Sequence, residues 1–379
     1  FHKNFFLSKC TPLDIAAFNL IFNCSLLLSL SLTPFSLDYY NFILYILIVI
    51  YFFYSYLFKF KNISLLKKTL FNFIVFALIF LIIAIDVATK LELGWDAKFF
   101  YYIKALFFVE GQSFYDLNQF KYSFHPHLGS YFWAFYWKLF GTDLEYIGRL
   151  FYVFISCFSI FYVSKIDLEH KNINIIIFIV LFFFIYNYER YSGLQEILIF
   201  SFLIILSRFY EKIIDNKKIV FIIFFALACN LILWIKAEGI VYLIILLIVL
   251  NFSKKLIPKE KILFNAALII LILFKYFIYE ISNNEMIDKS GHPYDLSYIL
   301  SLNINFIIYK LKIIIPFFGY YLLNNVVFIS GLIILIYNFI FKINKEYNKA
   351  ILLYFILTTV FIFSAYLFRS MEIEYSIRT

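Results

Sequence analysis

The chain has 379 residues, of which 64% are apolar, 23% aromatic and 15% charged. No soluble core of this length could hide that much apolar surface, so lipid has to be the solvent for much of it. The net charge of +9 comes from lysines in short clusters between apolar runs. That is the pattern of membrane topology rather than of a nucleic-acid-binding face, so no nucleic-acid partner is expected.

A helix needs roughly 20 apolar residues to cross a bilayer. In chain order the candidate spans are 13–32, 38–58, 69–86, 146–164, 174–186, 192–209, 219–235, 240–252, 262–281, 326–341 and 350–368. Strict alternation is absent, and runs such as Ile240–Leu250 are apolar on every side. The expected fold is therefore an all-α polytopic transmembrane bundle of about eleven spans rather than a β-barrel. One integral domain over residues 1–379 accommodates these runs. The sequence begins at Phe1 rather than Met and stops at Thr379 directly after a span, which reads as a fragment. Cys10, Cys24, Cys157 and Cys229 are far apart and suggest neither a disulfide framework nor a metal site.

Four basic groups set the orientation: Lys59 to Lys68, Arg208 to Lys218, Lys254 to Lys261, and Lys342 to Lys349. All four lie inside if 304–318, which carries Lys310 and Lys312 and has Pro316 near its end, is an interfacial helix. The N-terminus is then cytoplasmic. Two sizeable outer loops follow, at 86–128 and 282–303.

The first of these loops concentrates the chemistry. It contains Gly94-Trp95-Asp96, the aromatic run Phe99–Phe108, Glu110-Gly111, Tyr115-Asp116 and His125-Pro126-His127. The run 97–109 reads as a short interfacial helix with aromatics at headgroup level. Asp96 at its start is either an N-cap or a general base facing a water-lined cavity. His125 and His127 could both approach such a cavity, although two histidines fall short of a metal-ligand set. Further on, Lys236-Ala-Glu238-Gly239 splits 219–252, which is too long for one crossing, into two short helices. Lys236 and Glu238 form either a functional pair or an ion pair that closes a turn. Lys275 reads as a snorkelling residue without a special role.

The order of these pieces resembles the polytopic glycosyltransferases of the GT-C class: Trp-Asp, aromatic helix, Gly, Tyr-Asp, then His-Pro before the next span, with the later Lys-x-Glu-Gly turn. The likeness is to bacterial members that depend on a polyprenyl-phosphate sugar, similar to the dolichyl-phosphate-mannose mannosyltransferases. It implies an inverting glycosyltransferase of the bacterial cytoplasmic membrane. Such an enzyme moves a sugar from a lipid-phosphate donor to an extracytoplasmic glycan, lipid or protein acceptor. Asp96 would be catalytic, and Lys236, Glu238, His125, His127, Asp116, Arg190 and Arg369 would bind substrate. No organic cofactor is implied. The loop has no adjacent acidic pair, and His127 stands where the family has Asp or Tyr, so a divalent metal stays open. An O-antigen polymerase or ligase, with a late outer loop, and a transporter or lipid flippase, with internal repeats, are the rival readings.

Overall fold

A computed structural model describes residues 10–40, parts of 42–49, 63–90, 92–120, 123, 125–142, 144–165, 171–216, 219–284, 304–324, 326–340 and 345–368. Most of the expected span at 38–58, the loop residues 285–303 and Arg369 lie outside the described residues.

Every regular element among the described residues is helical. In chain order these are α1 Pro12–Ser31, α2 Ile63–Thr89, a wide π turn at Ala97–Tyr101 that runs into α3 Tyr102–Val109, and a 3-10 turn at Phe114–Gln119. Then follow α4 Leu128–Phe140, α5 Glu145–Val163, α6 Lys171–Ile185, a 3-10 turn at Tyr188–Tyr191, α7 Glu196–Asn216, α8 Ile219–Ile235 and α9 Gly239–Phe252. The last four are α10 Pro258–Ile281, α11 Ile304–Asn324, α12 Val326–Ile340 and α13 Lys345–Phe368.

Among the described residues six helices are long and apolar enough to cross a membrane: Pro12–Ser31, Phe71–Thr89, Glu145–Val163, Pro258–Ile281, Ile307–Asn324 and Glu346–Ser364. Their outward faces carry Phe73, Leu81, Ile85, Ile262, Ile270 and Leu273, all exposed. Water would not tolerate such faces, and a hydrocarbon solvent favours them. Five of the six coincide with spans read from sequence. The sixth falls on the stretch 304–318, expected as an interfacial helix with Pro316 near its end. That boundary is corrected, because α11 continues through Pro316 to Asn324. The proline removes one backbone donor, a loss that an apolar helix tolerates by small adjustments in the adjoining turn. Shorter apolar helices among the described residues include Ile173–Phe183, Ile219–Ile235 and Gly239–Phe252.

The chain divides into two compact units, Phe1–Ile240 with Ala267–Met286, and Val241–Ala266 with Ile287–Thr379. In the second unit α11, α12 and α13 pack on one another. In the first, α5 lies against α2, α4 and α7, and α8 lies against α1 and α7. Gly148 permits the α4–α5 approach, since a Cβ there would come within 1.5 Å of the Trp133 ring.

Polar knots fasten this first unit. At the start of α1, Thr11 and Asp14 form a reciprocal capping box, with Pro12 in the first turn. The buried Asp14 carboxylate also accepts from Tyr162 Oη of α5 at 2.6 Å and pairs with Lys212 Nζ of α7 at 3.2 Å. One short acidic side chain thus caps one helix and ties two others to it. Arg149, fully buried at the first turn of α5, makes the second knot. Its guanidinium donates to Glu145 Oε2 at 2.6 Å, to Tyr191 O at 3.2 Å and to Lys90 O at 3.2 Å.

Candidate functional site

The second knot positions the first functional segment. Arg149 fixes Tyr191 O, and the next residue's carbonyl, Ser192 O, accepts from Gly94 N at 2.9 Å. Lys98 N then donates to Gly94 O at 2.9 Å, which starts the helical run. Asp96 sits in that first turn with helical backbone angles and makes no side-chain cap bond. Of the two sequence readings of Asp96, the N-cap is therefore absent. The wide turn that follows is a type often found at functional sites.

The run 95–109 has two faces. Trp95 (67% exposed), Phe99, Ile103 and Leu106 point outward, whereas Ala97, Tyr101, Lys104 and Phe108 are buried. The apolar stripe is the exposed one, as suits a helix lying against lipid.

Asp96 is half-buried, and its carboxyl is held above the usual carboxylate range. Partial desolvation is the main cause; Lys236 opposes it, and Glu196 and Glu238 add to it. Lys236 itself forms a short ion pair with Glu196 and lies 3.8 Å from Glu238. Burial alone would pull its ammonium down, but Glu196, Glu238 and Asp96 outweigh that and hold it up. Two carboxylates thus flank one ammonium and the Asp96 carboxyl acts on it from further off, so the cluster carries a surplus of negative charge.

The turn bearing Lys236 and Glu238 joins α8 to α9, as the sequence break at Gly239 suggested. Gly239 N donates to Lys236 O at 3.0 Å, and a Cβ on Gly239 would lie 2.2 Å from Ile232 O. A backbone oxygen cannot yield as a flexible side-chain end can. Gly239→Ala is therefore expected to destabilise the fold by about 1–3 kcal/mol, measurable as a lower unfolding midpoint in detergent.

Beside this cluster, buried side chains hold open hydrogen-bonding capacity. Tyr101 Oη, Tyr152 Oη and both amide atoms of Gln195 are buried with no partner among the described residues. The Tyr101 hydroxyl is pushed well up by burial, with contributions from Glu196, Asp96, Glu238 and Tyr152. Gln195 packs directly on Gly129 of α4.

The remaining expected site residues fall elsewhere. His127 is completely buried, ringed by Phe108, Phe114 and Trp234. Its Nε2 lies 2.8 Å from Ser31 Oγ. Ser31 donates its single proton to Leu28 O at 2.7 Å. In the tautomer that keeps this bond, Nε2–H donates to Ser31 Oγ and Nδ1 is a bare acceptor. Burial keeps this imidazole neutral well below its ordinary range, and the charges of Lys104 and Lys275 reinforce that. His125 stacks on Phe100, with ring centroids 4.3 Å apart. Asp116 closes a capping box, accepting from Ser113 N at 2.9 Å and Ser113 Oγ at 2.7 Å. Arg190 is half-buried in the 3-10 turn after α6.

Sequence reasoning gave three residues of this region no role. Glu196, forty positions before its partner, neutralises Lys236. Lys104 is 1% exposed and donates to His125 O; burial pulls its ammonium down to about 7. Lys275 is 2% exposed and donates inward to Leu233 O at 2.7 Å, which corrects the expectation that it snorkels outward. Among the described residues no group of three or more His, Cys, Asp and Glu side chains is placed to hold a metal.

These features define an all-helical, multi-pass membrane protein whose polar groups gather around the 94–127 segment and the α8–α9 turn. Comparison with family models, with curated proteins and with solved structures found no match.

Proposed function

We propose that the chain is an inverting glycosyltransferase of the bacterial cytoplasmic membrane, with Asp96 as general base. It uses a polyprenyl-phosphate sugar as donor and an extracytoplasmic glycan, lipid or protein as acceptor. The topology that goes with this reading has about eleven crossings, a cytoplasmic N-terminus and Asp96 at the external surface. The observation that carries the reading is the setting of Asp96: half-buried, free of a capping bond, and raised in pKa by its surroundings. A base works best when its pKa lies near the working pH.

In the proposed reaction an acceptor hydroxyl oxygen attacks the anomeric carbon on the side opposite the lipid phosphate. The carbon–oxygen bond to phosphate breaks, its electron pair leaves with the phosphate, and the hydroxyl proton passes to the Asp96 carboxylate. The exposed apolar stripe of 95–106 supports a site at the lipid surface, where the donor's tail stays in the bilayer. The open donors and acceptors of Tyr101, Tyr152 and Gln195 support recognition of a polyhydroxylated ring.

The test is transfer by the purified protein in liposomes that carry polyprenyl-phosphate sugars, followed across pH. Asp96 must be ionised to accept a proton, so activity falls as pH drops through its pKa. Glu196 raises that pKa and also neutralises Lys236. Glu196→Gln removes both effects, and the acid limb is expected to move to lower pH. An acid limb that stays in place or moves upward would contradict the assignment of Asp96.

A further inference from the structure

Two ammonium groups are buried in the first unit without any carboxylate to balance them. Lys104 comes from the inner face of α3 and Lys275 from the inner face of α10. Among the described residues neither makes an ion pair. Glu238 is near enough to act on Lys275 electrostatically but does not touch it. Each ammonium has one carbonyl partner, His125 O for Lys104 and Leu233 O for Lys275. Lys275 also lies over the rings of Trp234, at 5.7 Å, and Tyr279, at 5.8 Å. An ammonium offers three donors, so each lysine keeps two in reserve.

Both lysines act on the same buried imidazole. His127 feels the charge of both, and Trp234, whose ring centroid is 5.7 Å from that of His127, lies beneath Lys275. Trp234 Nε1 is a further buried donor without a partner among the described residues, and His127 Nδ1 and Asn284 Oδ1 are buried acceptors in the same condition. Donors therefore outnumber acceptors here, and an anion placed among them would favour the charged form of both amines. Uncompensated buried cations are costly and mark binding sites when they occur inside membrane proteins.

We propose that Lys104 and Lys275, with Trp234 Nε1, form a binding site for a phosphate group. Its oxygens accept the reserved ammonium and indole protons, and a proton on a monoanionic phosphate can be donated to His127 Nδ1. The anion supplies the missing counter-charge. The cluster around Lys236 is the wrong place for this group, because Glu196 and Glu238 already flank that ammonium. Where the phosphate belongs to a lipid carrier, the assignment rests on the transfer reading; the site itself rests only on the cation pair.

The test is equilibrium binding to the full chain in phosphatidylcholine nanodiscs, with polyprenyl phosphate, uncharged polyprenol and inorganic phosphate as probes. Polyprenyl phosphate is expected to bind at least about tenfold more tightly than polyprenol. Lys104→Met and Lys275→Met should each weaken it by about tenfold or more, with Lys104→Arg and Lys275→Arg as charge-retaining controls. Competition by inorganic phosphate would identify a free phosphate as the ligand, and its absence would identify the lipid headgroup; both keep the site. Equal binding of polyprenyl phosphate and polyprenol by the wild-type protein would overturn it without any variant. So would wild-type affinity in a correctly folded double Met variant. Asp96→Asn should bind polyprenyl phosphate normally. Binding without transfer by the wild-type protein therefore sinks only the transfer reading, and transfer with no phosphate preference sinks only this site.

Discussion

Asp96→Asn is expected to reduce sugar transfer by about 10²- to 10⁴-fold while leaving the protein folded, the range that a general base contributes. The substitution keeps the shape of the side chain and removes its capacity to take a proton. Asp96 makes no capping bond, so the change does not cost the helix its start. The amide also places no new charge beside Glu196 and Glu238, and it relieves the repulsion they exert on the carboxylate. The variant should therefore match the wild type in its unfolding midpoint, or exceed it slightly, and still bind donor. Transfer at the wild-type rate would exclude Asp96 as the base. A collapse of stability would show that the carboxylate serves the fold.

Arg149→Leu is expected to have the largest effect on stability, about 3–5 kcal/mol, read as a lower unfolding midpoint in detergent. The lost guanidinium leaves Glu145 without its 2.6 Å partner and strips donors from Tyr191 O and Lys90 O. Leucine supplies apolar volume but no donors, and buried groups left unpaired bear their full desolvation cost. Activity should fall with stability, because Tyr191 precedes the carbonyl that anchors Gly94 and hence Asp96. A midpoint unchanged to within about 0.5 kcal/mol would show that the knot is dispensable.

The helical architecture was legible because apolar run length is a local property. The runs at 13–32, 69–86, 146–164, 262–281 and 350–368 correspond to long apolar helices. The break at Gly239 was legible too, since 219–252 is too long for one crossing and glycine tolerates the close backbone approach that the turn requires. Pro316 misled because a proline is a weaker helix terminator inside apolar helices than in water.

The electrostatics of the site were much less legible. Lys236 reads as an available cation until Glu196, on another helix, is brought against it. An outward-snorkelling lysine and an inward one have the same letter, and packing decides between them. A partial signal existed. Lys275 stands seven residues after Leu268 and four before Tyr279, on the buried face of α10. Lys104 likewise follows the helical period of Ala97, Tyr101 and Phe108. His127 gave no such warning, because its burial depends on Ser31 and Trp234, both distant in sequence.

The central claim, that the residue 96 carboxylate works at the external membrane surface, is most directly tested by thiol labelling. Asp96→Cys is introduced together with Cys10→Ser, which removes the one native cysteine that is not buried. A membrane-impermeant maleimide is then applied to intact cells. The account predicts labelling at position 96 from outside without permeabilisation. Labelling only after the cytoplasmic face is opened would contradict it.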